Sequence, residues 1–416
     1  MEREVRAMII RKNYLEEIIP FIDTEQIKVM TGVRRSGKSM MLTMIQEHLL
    51  ARGVKKEQLI TMNFEELIFE PYLEYHTLNT YLEEQIRQIK GKAYLFLDEI
   101  QEVQQFEKVI NSLRATFGNQ VDIYLTGSNA KMLSGELATL LGGRYIQFDI
   151  YPFKFSEYVQ GRRSVGDMRG DQELFQGYLL EGGMPFLVFQ NMQYRDRVNY
   201  LADVYNSIIL KDIIERENIR DPELLRRLLN YVLGNVGRSF SANSVVKYLK
   251  NEGLKVSPTT VLNYLSFAEA AYGIIPVRRY DIQGKKFLAT QEKYYVVDHG
   301  LRQAVIGRNE EDIELILENI VLLELMARGY TVSVGKTNQY EVDFIAERKE
   351  ASGIDRKYVQ VSYLLASPET RTRELRPFKE IQDNYEKILL TLDLFTSDVD
   401  GIRHRNLVSW LLDEQW

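Results

Sequence analysis

The segment from residue 32 to residue 39 carries the side chains best suited to chemistry. Its sequence, GVRRSGKS, fits the pattern G-x-x-x-x-G-K-[ST], and it lies between a strand-like run, IKVM, and a helical pattern. In such a loop the glycines let backbone N–H groups surround phosphates, a lysine neutralises the β and γ oxygens, and a serine hydroxyl ligates Mg²⁺. A chance glycine-rich turn is the alternative, but the strand-loop-helix context favours phosphate binding. The predicted ATP-binding residues are Gly32, Val33, Arg34, Arg35, Ser36, Gly37, Lys38, Ser39 and Met40, with Ser39 also a ligand of Mg²⁺.

A second motif supplies acidic side chains. Ala93 to Leu97 is an apolar run typical of a buried strand, and Asp98 and Glu99 follow it directly. In this Walker B pattern the first acid holds the Mg²⁺ shell, and the second orients and deprotonates the attacking water. Two solvated acids that cap the next helix are the alternative. Because a phosphate loop precedes them, we expect Asp98 to be a metal ligand and Glu99, with Lys38, to be catalytic.

A further strand-like run, Val121 to Leu125, ends in Thr126-Gly127-Ser128-Asn129. A polar side chain at this strand end would lie between the two motifs and could hold the attacking water against the γ-phosphate. Asn129, which we include among the catalytic candidates, and Ser128 fit this role, and the sequence does not choose between them. Ordinary turn chemistry explains Gly, Ser and Asn equally well.

Arg144 follows two glycines and directly precedes the strand-like run from Tyr145 to Ile150. An arginine in this place could reach the γ-phosphate of a neighbouring subunit and stabilise the charge of the transition state. The alternative is an ordinary surface arginine. We predict that Arg144 is catalytic in this way, which implies a homo-oligomer.

Composition limits the chemistry that the remaining chain can add. The 416 residues suggest about two to four domains. Fifty-three Lys and Arg oppose 59 Asp and Glu, so any nucleic-acid contact must come from a local patch. Cysteine is absent and the four histidines are far apart, which excludes disulfides and thiolate sites and argues against a zinc or copper centre. Catalysis must therefore rest on backbone N–H groups, lysine, carboxylates and Mg²⁺.

The chain also lacks the sequence features of secretion and membrane insertion. The first ten residues mix acids and bases without an apolar core, unlike a secretory signal. No apolar run approaches the about 18 residues of a membrane span. We therefore expect a cytoplasmic protein with no membrane association.

Changes of pattern predict four parts. Residues 1–150 alternate strand-like and helical segments, which indicates a mainly parallel α/β sheet. Residues 151–220 are mostly helical and suggest a lid or connector. Residues 221–300 have three helix starts and then two strand-like pieces, Ile274 to Tyr280 and Tyr294 to Val297, in the order of a winged helix-turn-helix. Residues 301–416 begin with a helix followed by strands, which predicts another α/β domain.

The predicted winged helix could contact DNA through its wing. Its recognition helix, from Ser257 to Tyr272, has no Lys or Arg. The wing has five basic side chains and only two acidic ones, Asp281 and Glu292. The basic side chains could contact DNA phosphates. A structural spacer or a protein-docking surface remains an equal alternative. The basic residues of the wing are Arg278, Arg279, Lys285, Lys286 and Lys293.

The chain resembles a large prokaryotic family of AAA-type predicted ATPases. The segments GVRRSGKS, LFLDEIQ, LTGSNAKML and GGRYIQFDIYPFKFSEY carry this resemblance, and LLEGGMPFLV, TTVLNYLSFAEAAY, KYYVVDHGLR, LENIVLLEL and EVDFIAE extend it over nearly the whole chain. The resemblance implies an α/β fold: a P-loop AAA-type ATPase domain with a helical lid, a winged helix, and a C-terminal restriction-endonuclease-like domain. It implies ATP binding and hydrolysis, and leaves the biological role open.

Nucleases of that C-terminal fold use a helix Glu, a strand-end Asp and an (Asp/Glu)-x-Lys on the next strand. Glu318 and Asp343 match the first two positions, but the third is Gln360-Val361-Ser362, which lacks both charges. Lys357 could take the place of the missing lysine from another position on the strand, although its place in the alternation of the strand's two faces matches poorly. We therefore expect the fold without robust cleavage, and prefer a structural role for the two acids. Such a domain could still bind DNA ends through a basic cluster, although a run of this kind is more often simply a solvated face; the cluster consists of Arg371, Arg373 and Arg376.

Three functions compete. The leading hypothesis is a Mg²⁺-dependent ATPase that couples its nucleotide state to the C-terminal winged-helix and nuclease-like module. The second is a slow ATP-dependent switch for DNA or protein binding, in regulation or defence. The third is an active metal-dependent nuclease that uses Glu318, Asp343 and Gln360.

Overall fold

The computed structural model describes residues 9–128, 143–288, 292–351 and 353–414. Contacts within the chain define two compact units. The N-terminal unit comprises Met1–Pro152 together with Ala270–Tyr272, and the C-terminal unit comprises Phe153–Glu269 and Gly273–Trp416. Among the described residues, no helix combines the length and the apolar character that crossing a membrane requires.

The N-terminal unit is built on one parallel sheet. Its helices are α1 (Lys12–Ile18), α2 (Lys38–Ala51), α3 (Tyr75–Gln88) and α4 (Phe106–Phe117), and its strands are β1 (Ile27–Thr31), β2 (Leu59–Asn63), β3 (Ala93–Asp98), β4 (Val121–Gly127) and β5 (Tyr145–Asp149). The strand order is β2-β3-β4-β1-β5, and every pair is parallel. The predicted mainly parallel α/β sheet is confirmed.

Helices cover both faces of this sheet, which explains why β3 and β4 are mostly apolar and are buried along their whole length. On β3, Leu95 and Leu97 pack with residues of α3 and α4, while Tyr94 and Phe96 pack with residues of α1 and α2. Burial on both faces fixes the strands in register, with Thr31 opposite Gly127. All five strands therefore end at the same edge of the sheet, where open parallel sheets bind their ligands.

The C-terminal unit has more helices and a larger, mixed sheet. Its helices are α5 (Phe155–Ser164), α6 (Asp171–Glu181), α7 (Pro185–Val188), α8 (Tyr194–Ser207) with a π-helical continuation (Ile208–Glu215), α9 (Pro222–Gly234), α10 (Ala242–Asn251), α11 (Pro258–Ala270), α12 (His299–Ile306), α13 (Ile313–Ala327), α14 (Pro368–Lys379) and α15 (Leu407–Leu412). Its strands are β6 (Ile275–Val277), β7 (Arg279–Asp281), β8 (Lys286–Phe287), β9 (Lys293–Tyr295), β10 (Thr331–Lys336), β11 (Glu341–Glu350), β12 (Gly353–Val361), β13 (Glu386–Thr391) and β14 (Ile402–Asn406).

One strand prediction for this unit is wrong. The run from Ile274 to Tyr280 is not a single strand, because it divides at Arg278 into β6 and β7. Strand β6 pairs antiparallel with β9, whereas β7 joins β8 and β10 in a sheet of order β14-β13-β12-β11-β10-β7-β8. This sheet therefore crosses the predicted boundary at residue 300. Helices α9 to α11 followed by the β6–β9 pair have the order of the predicted winged helix, which stays a prediction.

Candidate nucleotide-binding site

The loop from Gly32 to Gly37 joins β1 to α2 at the carboxyl edge of the N-terminal sheet. Gly32 has φ 147°, and a Cβ atom there would lie 2.2 Å from the carbonyl oxygen of Ile150. Gly37 has φ 103° and directly precedes α2. Both positions favour glycine because of their positive φ, and at Gly32 the close approach of Ile150 also leaves no room for a side chain. The first N–H groups of α2 consequently face the loop, as in sites that bind phosphate.

Lys38 places its ammonium inside this loop. The residue is 4% exposed, and Nζ donates to the carbonyl oxygens of Gly32 at 3.2 Å and Val33 at 3.3 Å. Nζ also lies 3.4 Å from Oε1 of Glu99, at the end of β3. The positive charge predicted to meet phosphate and the acid predicted to activate water are therefore neighbours.

The structure also brings together the two predicted Mg²⁺ ligands. Burial raises the pKa of Asp98, and hydrogen bonds from the hydroxyls of Thr126 and Ser39 lower it. Within the described parts of the chain, no three His, Asp or Glu side chains form a ready metal site. Mg²⁺ in nucleotide sites is commonly held by one or two protein oxygens together with phosphate oxygens. The Ser39 and Asp98 pair fits that donor set.

Glu99 is held in a demanding geometry. Its φ of 52° lies in the left-handed region, which is unusual for a residue with a side chain. Burial tends to raise its pKa, but the charge of Lys38, a hydrogen bond from Gln101 and the charge of Arg34 together lower it. The Glu99 carboxylate is therefore ionised, as a proton acceptor must be.

Thr126, which the sequence analysis did not select, connects the two acids. Its hydroxyl donates to Oδ1 of Asp98 and accepts the backbone N–H of Glu99 at 2.8 Å. Strand β4 lies between β1 and β3, so this side chain is placed between the two motifs. Of the two residues favoured from sequence, Ser128 is buried two positions further on, and Asn129 lies outside the described residues.

Arg11 is a second residue that the sequence analysis missed. Its side chain is buried, and Nη1 donates to the carbonyl oxygens of Tyr151 at 2.9 Å and Ser36 at 3.4 Å. Arg11 thus ties the loop to the chain that follows β5. The Ser36 hydroxyl is buried and has no hydrogen-bond partner within the described residues, so it is a donor available inside the loop.

The remaining predicted contact residues lie at the rim of the loop. Arg34 forms an ion pair with Glu65 at 3.0 Å, whereas Arg35, Ser39 and Met40 are exposed. Exposure at the start of α2 is compatible with a ligand that covers these residues.

Arg144 lies at the opposite edge of the sheet from the loop. Its carbonyl oxygen accepts the N–H of Ile27, the first residue of β1, and its side chain is exposed. At about 3.3 Å per residue, β1 separates this point from the loop by about 13 Å. The structure therefore does not bring Arg144 to the loop of its own chain.

Comparison with known proteins assigns the family. The model of the AAA domain matches residues 24–159, and a model for a domain of unknown function matches residues 172–312. An uncharacterized protein of Haemophilus influenzae is 37% identical over 408 residues, which are 98% of this chain and 99% of that protein. The chain belongs to a prokaryotic family of AAA-type ATPases.

Two further proteins are similar to this AAA-type ATPase. An uncharacterized protein of Methanocaldococcus jannaschii is 28% identical over 414 residues, which cover 96% of this chain and 88% of that protein. The Walker-type ATPase of Pyrococcus abyssi has a solved structure that matches with a TM-score of 0.52 at 14% identity, over 72% of this chain and 96% of that one. The structural match supports the fold.

Outside the AAA domain, the acids matched to nuclease positions surround a lysine. Lys293 on β9 is buried, and its Nζ lies 2.7 Å from Oε1 of Glu341 and 3.5 Å from Oε2 of Glu318. Burial alone would lower the pKa of Lys293, but the charges of Glu318, Asp343 and Glu341 outweigh it and raise the pKa. Burial and the charge of Glu318 raise the pKa of Asp343 well above its usual value. The acids are thus engaged with an internal ammonium.

Neither Gln360 nor Lys357 supplies the missing charges of that site. Gln360 accepts the N–H of Asp343 at 3.3 Å and donates to Glu374 at 3.2 Å. Lys357, the candidate for the missing lysine, forms ion pairs with Asp355 and Glu386 at 3.2 and 3.1 Å. The lysine near the acids is instead Lys293, which belongs to the predicted wing. The spacing of residues within 301–416 could not reveal it, because it lies outside that range.

The predicted basic wing is therefore partly wrong. Lys293 is buried, and Arg279 is buried as well, with Nη2 2.9 Å from Oε2 of Glu341. Both side chains face the interior because β7 and β9 pack against the C-terminal strands and α13. Arg278, Lys285 and Lys286 remain exposed.

Replacing Thr126 by Val should destabilise the N-terminal unit. Valine keeps the shape but removes the hydroxyl, so the buried Asp98 carboxylate and the N–H of Glu99 both lose a partner. We expect the free energy of unfolding to fall by about 1–3 kcal/mol, measured by urea denaturation. Thr126→Ser, which keeps the hydroxyl, should lose less. Equal stability of Thr126→Val and the wild type would show that the hydrogen bonds of the Thr126 hydroxyl contribute little to the free energy of unfolding.

Replacing Lys293 by Met should destabilise the C-terminal unit because it leaves the buried carboxylate of Glu318 without its neighbouring ammonium, whereas Glu341 keeps its ion pair with Arg279. We expect a loss of about 3–5 kcal/mol near neutral pH. The loss should shrink as pH falls, because burial raises the pKa of Glu318 and protonation of its carboxyl removes the unpaired charge. Lys286→Met, on an exposed lysine, should change stability by less than about 0.5 kcal/mol. Equal unfolding curves for the two variants would contradict the assignment.

Proposed function

We propose that this chain hydrolyses ATP with Mg²⁺ at the loop between β1 and α2. The convergence of Lys38, Ser39, Asp98 and Glu99 carries the proposal, because an ammonium, a hydroxyl and two carboxyl groups suited to bind phosphate, to ligate Mg²⁺ and to act as a base lie together at one end of the sheet. Backbone N–H groups of the loop and of α2 would hold the phosphates, and Ser36 would add its buried hydroxyl. Mg²⁺ bound at Ser39 and Asp98 would neutralise phosphate charge.

The ion pair between Lys38 and Glu99 suggests how binding prepares the base. Phosphate oxygens compete with Glu99 and with the carbonyls of Gly32 and Val33 for the ammonium of Lys38. When Lys38 turns to phosphate, Glu99 loses the charge that lowers its pKa, while its burial still raises it. Glu99 then becomes a stronger base, and takes a proton from water only after the substrate has arrived.

Arg144 would act on a second copy of the chain. Arg144 lies at the opposite end of the sheet from the loop of its own chain. The γ-phosphate that it could reach would therefore belong to a nucleotide bound to a neighbouring subunit. A guanidinium added there would stabilise the transition-state charge, as arginine fingers do. This part of the proposal requires a homo-oligomer.

The C-terminal unit would be the recognition module that the nucleotide state controls, with DNA or another protein as partner. The exposed hairpin between β7 and β8 favours contact with phosphates, since Lys285 and Lys286 are at its tip and Arg278 is exposed nearby. Exposed Phe287 adds an apolar group at the same tip. We do not propose cleavage of DNA, because Lys293 already compensates the acids of the nuclease-like positions.

Glu99→Gln should bind ATP but lose turnover. The amide keeps the size of the side chain but cannot accept the proton, so kcat should fall about 100-fold or more. Lys38→Ala should weaken ATP binding itself, measured with a fluorescent ATP analogue, and EDTA should stop hydrolysis by the wild type. Absence of ATP binding by the wild type, or equal turnover by all three proteins, would refute the proposal.

Mixing two inactive variants tests the role of Arg144 in a neighbouring subunit. Arg144→Ala and Lys38→Ala should each have low activity alone. In a mixture, an intact Arg144 from one chain can serve an intact loop of another, so turnover should rise above the sum of the two. Arg403→Ala, at an arginine exposed in the C-terminal unit, is the control. If Arg144→Ala hydrolyses ATP as fast as the wild type, Arg144 does not act on the nucleotide of a neighbouring subunit.

A further inference from the structure

A polar cluster joins the ends of β1 and β5 directly before the phosphate loop. Oδ1 of Asp149 accepts three hydrogen bonds: from the hydroxyl of Thr31 at 2.7 Å, from the amide of Gln147 at 2.8 Å, and from the hydroxyl of Tyr272 at 2.8 Å. Thr31 is the last residue of β1, and Gly32 follows it. The carboxylate of Asp149 therefore lies one residue from the loop, although the proposed chemistry does not use it.

Tyr272 reaches this cluster from a distant part of the chain. The segment Ala270–Tyr272 belongs to the N-terminal unit, and its residues are 4%, 1% and 9% exposed. It begins at the last residue of α11, the predicted recognition helix. Tyr272 has φ 55°, a conformation that costs about 1–2 kcal/mol for a residue with a side chain. Contacts must offset that cost to keep the hydroxyl on Asp149.

Thr31 connects the cluster to the start of the phosphate loop. The carbonyl oxygen of Thr31 accepts the N–H of Ile150 at 2.6 Å, and Gly32 packs against the carbonyl of Ile150. A movement of Gly32 is therefore transmitted to Thr31 and through its hydroxyl to Asp149. Because Oδ1 of Asp149 also holds Tyr272, a change at the loop alters the anchor of the chain that leaves α11.

We propose that Tyr272 is a positioning residue that aims the start of the phosphate loop through Asp149 and Thr31, and that it reports ATP binding to α11. The proposal rests on the proposed function, in which ATP occupies this loop. Tyr272 does not touch the reacting atoms in this role. Burial and the charge of Asp149 raise the pKa of Tyr272, so its hydroxyl remains a hydrogen-bond donor at physiological pH.

The decisive variant is Tyr272→Phe, and the same unit offers a matched control. Tyr94 is also buried and donates its hydroxyl to a carboxylate, Oδ1 of Asp23, at 2.9 Å. That bond lies near the starts of β1 and β3, at the edge opposite the loop. Tyr94→Phe therefore removes an equivalent hydroxyl without affecting the loop. Asp149→Asn is a second variant that weakens the same cluster from its other side.

The experiment measures ATP kinetics and hydrogen exchange of residues 258–272 in the full chain, with and without ATP and Mg²⁺. In the wild type, ATP should change the exchange rate of this segment several-fold. Tyr272→Phe should raise the KM for ATP about tenfold with kcat within about twofold, and should abolish the exchange response. Asp149→Asn should share this phenotype, and the double variant should add little to either. Tyr94→Phe should behave as the wild type.

The outcomes separate this inference from the proposed function. If Tyr272→Phe and Tyr94→Phe give the same KM and the same exchange response, Tyr272 has no positioning role. If the wild type binds ATP without hydrolysing it, the ATPase proposal fails, while the exchange response and the affinity for ATP still decide the role of Tyr272. If the wild type does not bind ATP, both proposals fail.

Discussion

Lys38 carries a full positive charge on a side chain that is almost completely buried, and the arrangement of the candidate site follows from the need to compensate it. A buried, uncompensated ammonium costs several kcal/mol. Two backbone carbonyls supply part of the compensation, and among the described residues Glu99 has the only carboxylate within 4 Å of Nζ. Glu99 stands close to the loop, at a position where its backbone is left-handed. Thr126 then fixes the N–H of Glu99 and the adjacent Asp98.

The C-terminal unit solves a similar electrostatic problem with a different result. Lys293 is compensated by two carboxylates, from α13 and β11, whereas Lys38 has one carboxylate and two carbonyl dipoles. Such an ion pair holds elements together and offers little to an incoming ligand, because its partners already satisfy one another. At Lys38, by contrast, phosphate oxygens can replace weak carbonyl partners at little cost. The same residue type is thus structural in one unit and suited to binding in the other.

The sequence analysis predicted those features of the structure that depend on residues close together in the chain. The strand-loop-helix at Gly32 to Ser39, the acids at the end of β3 and the parallel sheet follow from local spacing and apolar runs, and the resemblance to AAA-type ATPases agrees with them. Residues whose roles depend on distant partners were missed or misplaced. Arg11 acts on a segment 140 positions away, and Lys293 was taken for a surface cation because a three-residue strand does not show which acids it will meet. Thr126 was passed over for its polar neighbours, since only the strand order shows that it touches both acids.

The N-terminal unit is discontinuous in the chain, and this affects the order of events during synthesis. All five strands and the phosphate loop have been made once residue 152 is complete, but Tyr272 follows about 120 residues later. At the usual pace of translation, that gap is on the order of 10 s. A nascent unit can thus form its sheet while Asp149 still lacks one of its three donors. The loop would reach its final geometry only after α11 has been made, so nucleotide affinity would mature late on the ribosome.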